Sequence, residues 1–188
     1  MCCGTKRLVQ IQCPSDCAYL ATAREHPPAA ILRQQQRDLG LLVQFMRDLN
    51  QRQSQLFFLI ETFLVRYHSP ELQPLIDEDV AEAAVALAAT FETAARGVIY
   101  EHRPVSIRAC RLATALKPLL AEAGQCGGTS FERDAAVVLR RIGEAAREMH
   151  ASDQGNRRAF LDLLGRLMRK SDDAEPPQAE HASRLIVH

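Results

Sequence analysis

The chain reads as all-α: a single-domain bundle of about six helices behind a short N-terminal cysteine-rich arm. Three observations lead there. Apolar residues recur at three- and four-residue intervals through most of the chain, the spacing that puts them on one face of a helix. Prolines, glycines and capping residues cut this pattern into helix-length pieces. Four of the six cysteines, Cys2, Cys3, Cys13 and Cys17, crowd into the first 17 residues. The division that follows is an arm over 1–26, a bundle over 27–170 and a solvated tail over 171–188.

Residues 6–12 carry Leu8, Val9 and Ile11 in weak alternation, suited to a short strand or an extended arm. Ser15 or Asp16 caps a short helix over 17–24, which Pro27 and Pro28 end because the residue before a proline avoids the α region. A helix from Pro28 onward carries an apolar seam of Leu32, Leu39, Leu42, Met46 and Leu49, interrupted by Gln35. Asn50, with Gln53 three residues later, spells a capping box and so a new helix; the alternative is one continuous helix of about forty residues, long for a globular domain.

From Leu56 to Tyr67 nearly every position is apolar or aromatic, which predicts a central helix or one at an oligomer interface. His68-Ser69-Pro70 stops it. Asp77, Glu78 and Asp79 place negative charge at the positive end of the next helix dipole, and that helix is expected to run to about Glu101, with Val80, Ala84, Leu87, Phe91, Ala94 and Val98 in one row. Its many alanines keep the cylinder thin enough for neighbours to approach closely. Pro104 and Ser106 open a further helix kinked at Pro118, and 124–128 read as a loop. Thr129 and Glu132 form a second capping box before a helix ending near His150. The last helix carries Phe160, Leu161, Leu163, Leu164, Leu167 and Met168 on one side.

Composition narrows the function. Lys plus Arg and Asp plus Glu are 23 each, so no net field draws the chain to nucleic acid or anionic membrane. No apolar run, Leu56 to Ile60 and Ala83 to Ala89 included, approaches the ~20 residues of a membrane span, and no basic segment followed by an apolar one opens the chain. A cytoplasmic protein without a membrane partner is expected. In a reducing cytosol, clustered cysteines bind metal or do redox chemistry more often than they form disulfides.

The spacing C-C-x9-C-x3-C, with Lys6 and Arg7 between the pairs, suits four thiolates on one Zn²⁺, whose net charge of minus two the two cations would offset. Cys17 falls in a first helical turn, where amide dipoles favour its thiolate. Against the motif, adjacent cysteines seldom serve one tetrahedral ion; His26 is a possible substitute ligand. An iron–sulfur cluster on the same cysteines is the rival, and a redox thiol pair or inert cysteines complete the alternatives.

Glu61, Glu92, Glu101, His102, Glu148 and His150 lie on or beside apolar helices but lack the Glu-x-x-His spacing of di-iron bundles; Glu61 and Glu92 are expected to pair with arginines such as Arg66 and Arg96. Arg140, Arg141, Arg147, Arg157, Arg158, Arg166, Arg169 and Lys170 make the C-terminal third locally basic, a pattern of nucleic-acid binding through phosphate contacts of the C-terminal helices or, with Glu144, Glu148 and Asp162 interspersed, of a plain solvated face. Cys110 on an apolar face reads as packing. No Gly-x-Ser-x-Gly, His-Glu-x-x-His or dinucleotide fingerprint appears. The sequence thus predicts a non-enzymatic helical protein whose Cys2, Cys3, Cys13 and Cys17 bind Zn²⁺ and staple the arm for partner binding or for self-association as a homodimer.

Overall fold

The computed structural model describes residues 29–69, 74–127, 130–153 and 155–174 of the 188. Cys2, Cys3, Cys13, Cys17 and His26, the short helix expected over 17–24 and the cap expected at Thr129 lie outside the described residues. Those described form six helices and no strand: α1 (Ala29–Met46), α2 (Gln51–Arg66), α3 (Asp77–Ala94), α4 (Ile107–Gly127), α5 (Phe131–Ser152) and α6 (Ala159–Ala174). None is long and apolar enough to cross a membrane. The chain divides into two compact units, Met1–Gly40 and Leu41–His188, with the boundary inside α1.

The break before α2 is the capping box read from the sequence. Asn50 Oδ1 accepts from the Gln53 N–H at 3.0 Å and Gln53 Oε1 accepts from the Asn50 N–H at 3.1 Å, so two donors that a helix start leaves orphaned are satisfied reciprocally. α2 ends at Tyr67, whose backbone is extended, ahead of His68 and Ser69.

In the unit from Leu41 onward, α3 and α5 form the spine and make the most extensive contact of any helix pair. Ala81, Ala84 and Ala88 of α3 are buried with Ala135, Val138, Leu139, Ile142 and Ala146 of α5. Gly143 marks the closest approach. A Cβ added there would stand 3.1 Å from Val85 Cγ2 and 3.4 Å from the Ala81 carbonyl oxygen. The alanine-rich surface therefore does what its composition implies, and the helix that exploits it is α5. Around this spine Phe57, Ile60 and Leu64 of α2, Leu112, Leu116 and Leu120 of α4, and Phe160, Leu163 and Leu164 of α6 close one continuous core. Phe45 of α1 joins it, edge-on to Phe160 at a centroid distance of 6.4 Å.

Four expectations need correction. α2 is not buried all round: Phe58 and Leu59 are exposed while Phe57 and Ile60 are sealed, because the helix packs along one stripe and its aromatic content exceeds what that stripe holds. The seam of α1 is also displaced, for Leu39 is 56% exposed and Phe45 only 3%. α3 stops at Ala94 rather than near Glu101. The Gly97 N–H donates to the Ala94 carbonyl, the Val98 N–H to the Thr93 carbonyl, and Gly97 sits at φ 79°, a left-handed conformation that glycine adopts without a Cβ clash. Finally, 124–127 are not loop but the last turn of α4, where a Cβ on Gly124 would press on the Phe131 ring at 3.2 Å.

Candidate functional site

The acidic first turn of α3 acts as a hub for two other helix starts. Asp77 is fully buried, and its Oδ2 and Oδ1 accept from the Phe160 and Leu161 N–H groups at 2.9 and 3.2 Å, capping α6 from a distant part of the chain. Its own N–H donates to the Arg157 carbonyl at 2.9 Å. Burial raises the Asp77 carboxyl above its ordinary range, and the two backbone donors oppose that rise. Asp79 meets Arg108 Nε at 2.9 Å and the Ser106 hydroxyl at 2.9 Å. Glu82 Oε1 accepts from the Val105 N–H and, at 3.1 Å, from the Ser106 N–H, just ahead of α4. Glu78 reaches His150 Nε2 at 3.3 Å and Arg157 at 3.4 Å. Negative charge read from the sequence as serving its own helix dipole thus mostly serves its neighbours.

Midway along the spine Arg140 grips Glu92 with two parallel bonds of 2.8 and 2.9 Å, the bidentate geometry that only a guanidinium provides. Its hydrogen bond holds the Glu92 carboxyl below the usual carboxylate range. Arg96, the expected partner, adds only a longer-range attraction. The pair floors an open groove of about 500 Å³ that also exposes Arg96, Arg133 and Arg141. A second hollow, about 570 Å³, lies between the end of α2 and α6, walled by Leu64, Tyr67, Leu75, Leu161 and Met168 with His68, Arg158 and Asp162 at its polar side. There Arg158 donates to the Leu75 carbonyl and His68 Nδ1 to the Arg66 carbonyl, so both polar heads are committed to main chain.

Glu61 is the exception to this accounting. It is 4% exposed, has no hydrogen bond or ion pair among the described residues, and its Oε1 is fully enclosed. The expected contact with Arg66 is not made, since Arg66 lies on the exposed side of α2. Burial alone pushes its carboxyl up to about 8, so at neutral pH it is a protonated, neutral side chain within an apolar helix face.

The remaining candidates do not converge. Glu101 pairs with Lys117, Glu148 accepts from Gln44 at 3.1 Å, and the His102 N–H donates to Thr90 at 2.9 Å. Among the described residues no three of His, Cys, Asp and Glu come together as a metal site. Arg141 and Arg157 bind Asp48 and Glu78, each at 3.4 Å, so much of the basic character of the C-terminal third is absorbed by carboxylates. Cys110 is half-buried, its thiol donating to the Pro104 carbonyl at 3.0 Å.

Sequence reading missed the connector from α3 to α4 by assigning its first residues to a helix. Past Gly97 the chain doubles back along α3: the Tyr100 carbonyl accepts from Thr93, the His102 N–H reaches Thr90, and the Val105 and Ser106 N–H groups reach Glu82. From Thr90 to Glu82 is about 12 Å of helix. The four steps from His102 to Ser106 cover up to about 13 Å, and the chain bends at Val105 and Ser106, where both N–H groups turn toward Glu82. From Glu101 to Ser106 exposure alternates: Glu101, Arg103 and Val105 are exposed, while His102, Pro104 and Ser106 are half-buried. The signal that could have found it was Gly97 followed by Val98-Ile99-Tyr100, a helix stop ahead of residues that favour extended backbone.

No protein-family model, curated protein or solved structure matches the chain.

Proposed function

We propose that this is a non-enzymatic helical protein of the cytoplasm whose Cys2, Cys3, Cys13 and Cys17 bind Zn²⁺ and staple the N-terminal arm for partner binding or self-association. The observation that carries the reading is the crowding of four thiols into 17 residues, two on each side of Lys6 and Arg7. Within the helical body Asp77, Asp79, Glu82 and Glu92 are spent on helix starts and on ion pairs with Arg108 and Arg140.

Elemental analysis of the purified protein is expected to find about one zinc per chain, lost on Cys13→Ser or Cys17→Ser with the helical circular dichroism unchanged. Metal-free protein with four freely titrating N-terminal thiols would overturn the proposal. An iron–sulfur cluster on the same cysteines is the redox alternative, and colour separates the two: anaerobically purified cluster protein is brown, with absorption at roughly 400 nm, and zinc protein is colourless.

A further inference from the structure

The α3–α4 connector carries an edge of unpaired main-chain groups. The even-numbered residues spend main-chain groups on the body: the Val98 N–H on the Thr93 carbonyl, the Tyr100 carbonyl on Thr93, the His102 N–H on Thr90 and the Ser106 N–H on Glu82. Among the described residues, the N–H and C=O groups of Ile99, Glu101 and Arg103 have no partner. Pro104, which has no N–H to offer, falls on the inward row, and its carbonyl takes the Cys110 thiol. Ile99 and Val105 are the most exposed large apolar side chains of the described residues. A row of free donors and acceptors under exposed β-branched side chains is a template for another strand.

The sequence along this edge says which strand. Read outward, it runs Ile99, Glu101, Arg103, Val105, and it is its own complement when reversed. We propose that the connector pairs antiparallel with the same connector of a second copy, about a two-fold axis at His102. Glu101 then lies opposite Arg103 of the second copy, and Ile99 opposite Val105, each contact occurring twice as an isologous interface requires. Glu101 and Arg103 form the hydrogen-bonded pair, which leaves Pro104 at a non-hydrogen-bonded position where its missing donor costs nothing. The Val105 and Ser106 N–H groups both turn in to Glu82 and the chain bends there, so the ladder ends at Arg103 and Ile99 meets Val105 of the other chain through side chains alone. A contact this short falls at the small end of specific interfaces and gives a weak, reversible dimer.

Sedimentation equilibrium of the full chain from about 1 to 100 μM is expected to show a shift from 20.9 kDa to twice that mass. Glu101→Arg alone and Arg103→Glu alone put like charges opposite each other and weaken the dimer about tenfold or more. The two variants mixed restore it, because every 101–103 contact in the mixed pair joins opposite charges; loss of the Lys117 contact within one chain cannot be repaired by mixing. Hydrogen exchange is expected to show concentration-dependent protection of the Ile99, Glu101 and Arg103 amides. A wild-type chain that stays at 20.9 kDa, or a dimer indifferent to the swaps and unrestored by mixing, overturns the proposal. The pairing uses no cysteine, so a variant with serine at Cys2, Cys3, Cys13 and Cys17 tests the metal reading separately and keeps the charge-swap response.

Discussion

At the scale of single residues the body shows two ways of burying a carboxylate. Asp77 is satisfied by two backbone N–H groups of α6, so its burial is matched by hydrogen bonds that hold a helix start in place. Glu61 has no such compensation and is retained in its neutral form. The consequence for pH follows by linkage. An acid whose folded value, about 8, lies above its unfolded value of 4.5 binds more protons when folded, so stability is full below 4.5, falls as pH rises through the interval and stays low above 8. The loss amounts to roughly 1.4 kcal/mol for each pH unit within that interval. Denaturant unfolding at pH 5 and pH 8 is expected to show this decline in the wild type and a much flatter profile in Glu61→Gln; equal slopes for the two proteins would rule the account out. Glu61 was legible in the sequence as a carboxylate on an apolar face, but its lack of a partner was not, because the nearest arginine in sequence lies on the other side of the helix.

At the scale of elements, local signals held where the cause was local. The Asn50–Gln53 box, the acidic start of α3 and the stop after Arg66 all depend on residues within one turn of each other, and all appear as read. The end of α3 was misplaced because the apolar row Phe91, Ala94, Val98 continues in helical register past the point where Gly97 reverses the chain. Periodicity outweighed a single glycine in the reading, and a positive φ outweighs periodicity in the structure. The same balance governs the contact between α3 and α5. Gly143→Ala raises helix propensity but forces a methyl to 3.1 Å from Val85 and 3.4 Å from the Ala81 carbonyl, so a net destabilisation of about 1–2 kcal/mol is expected by urea unfolding. A more stable variant would mean that the two helices separate without cost.

At the scale of the whole molecule, residues of α2 through α6 share one apolar core with Phe57, Phe160, Leu112 and Leu139 fully buried in it. Phe57→Ala is therefore expected to cost about 3–5 kcal/mol and to lower the urea midpoint of the single helical transition, as read by circular dichroism. A separate early transition confined to α2 would show that this helix is not part of the common core. What the sequence alone determined is the all-helical class and most helix starts, because apolar period and capping act over a few residues, and also the clustering of Cys2, Cys3, Cys13 and Cys17 as candidate ligands. Only the tertiary structure decided that Arg140 rather than Arg96 grips Glu92, that Asp77 caps α6, and that residues 98–104 run back along α3 with one edge open. Those outcomes join residues up to 84 positions apart, and nothing in a local window ranks one distant partner above another.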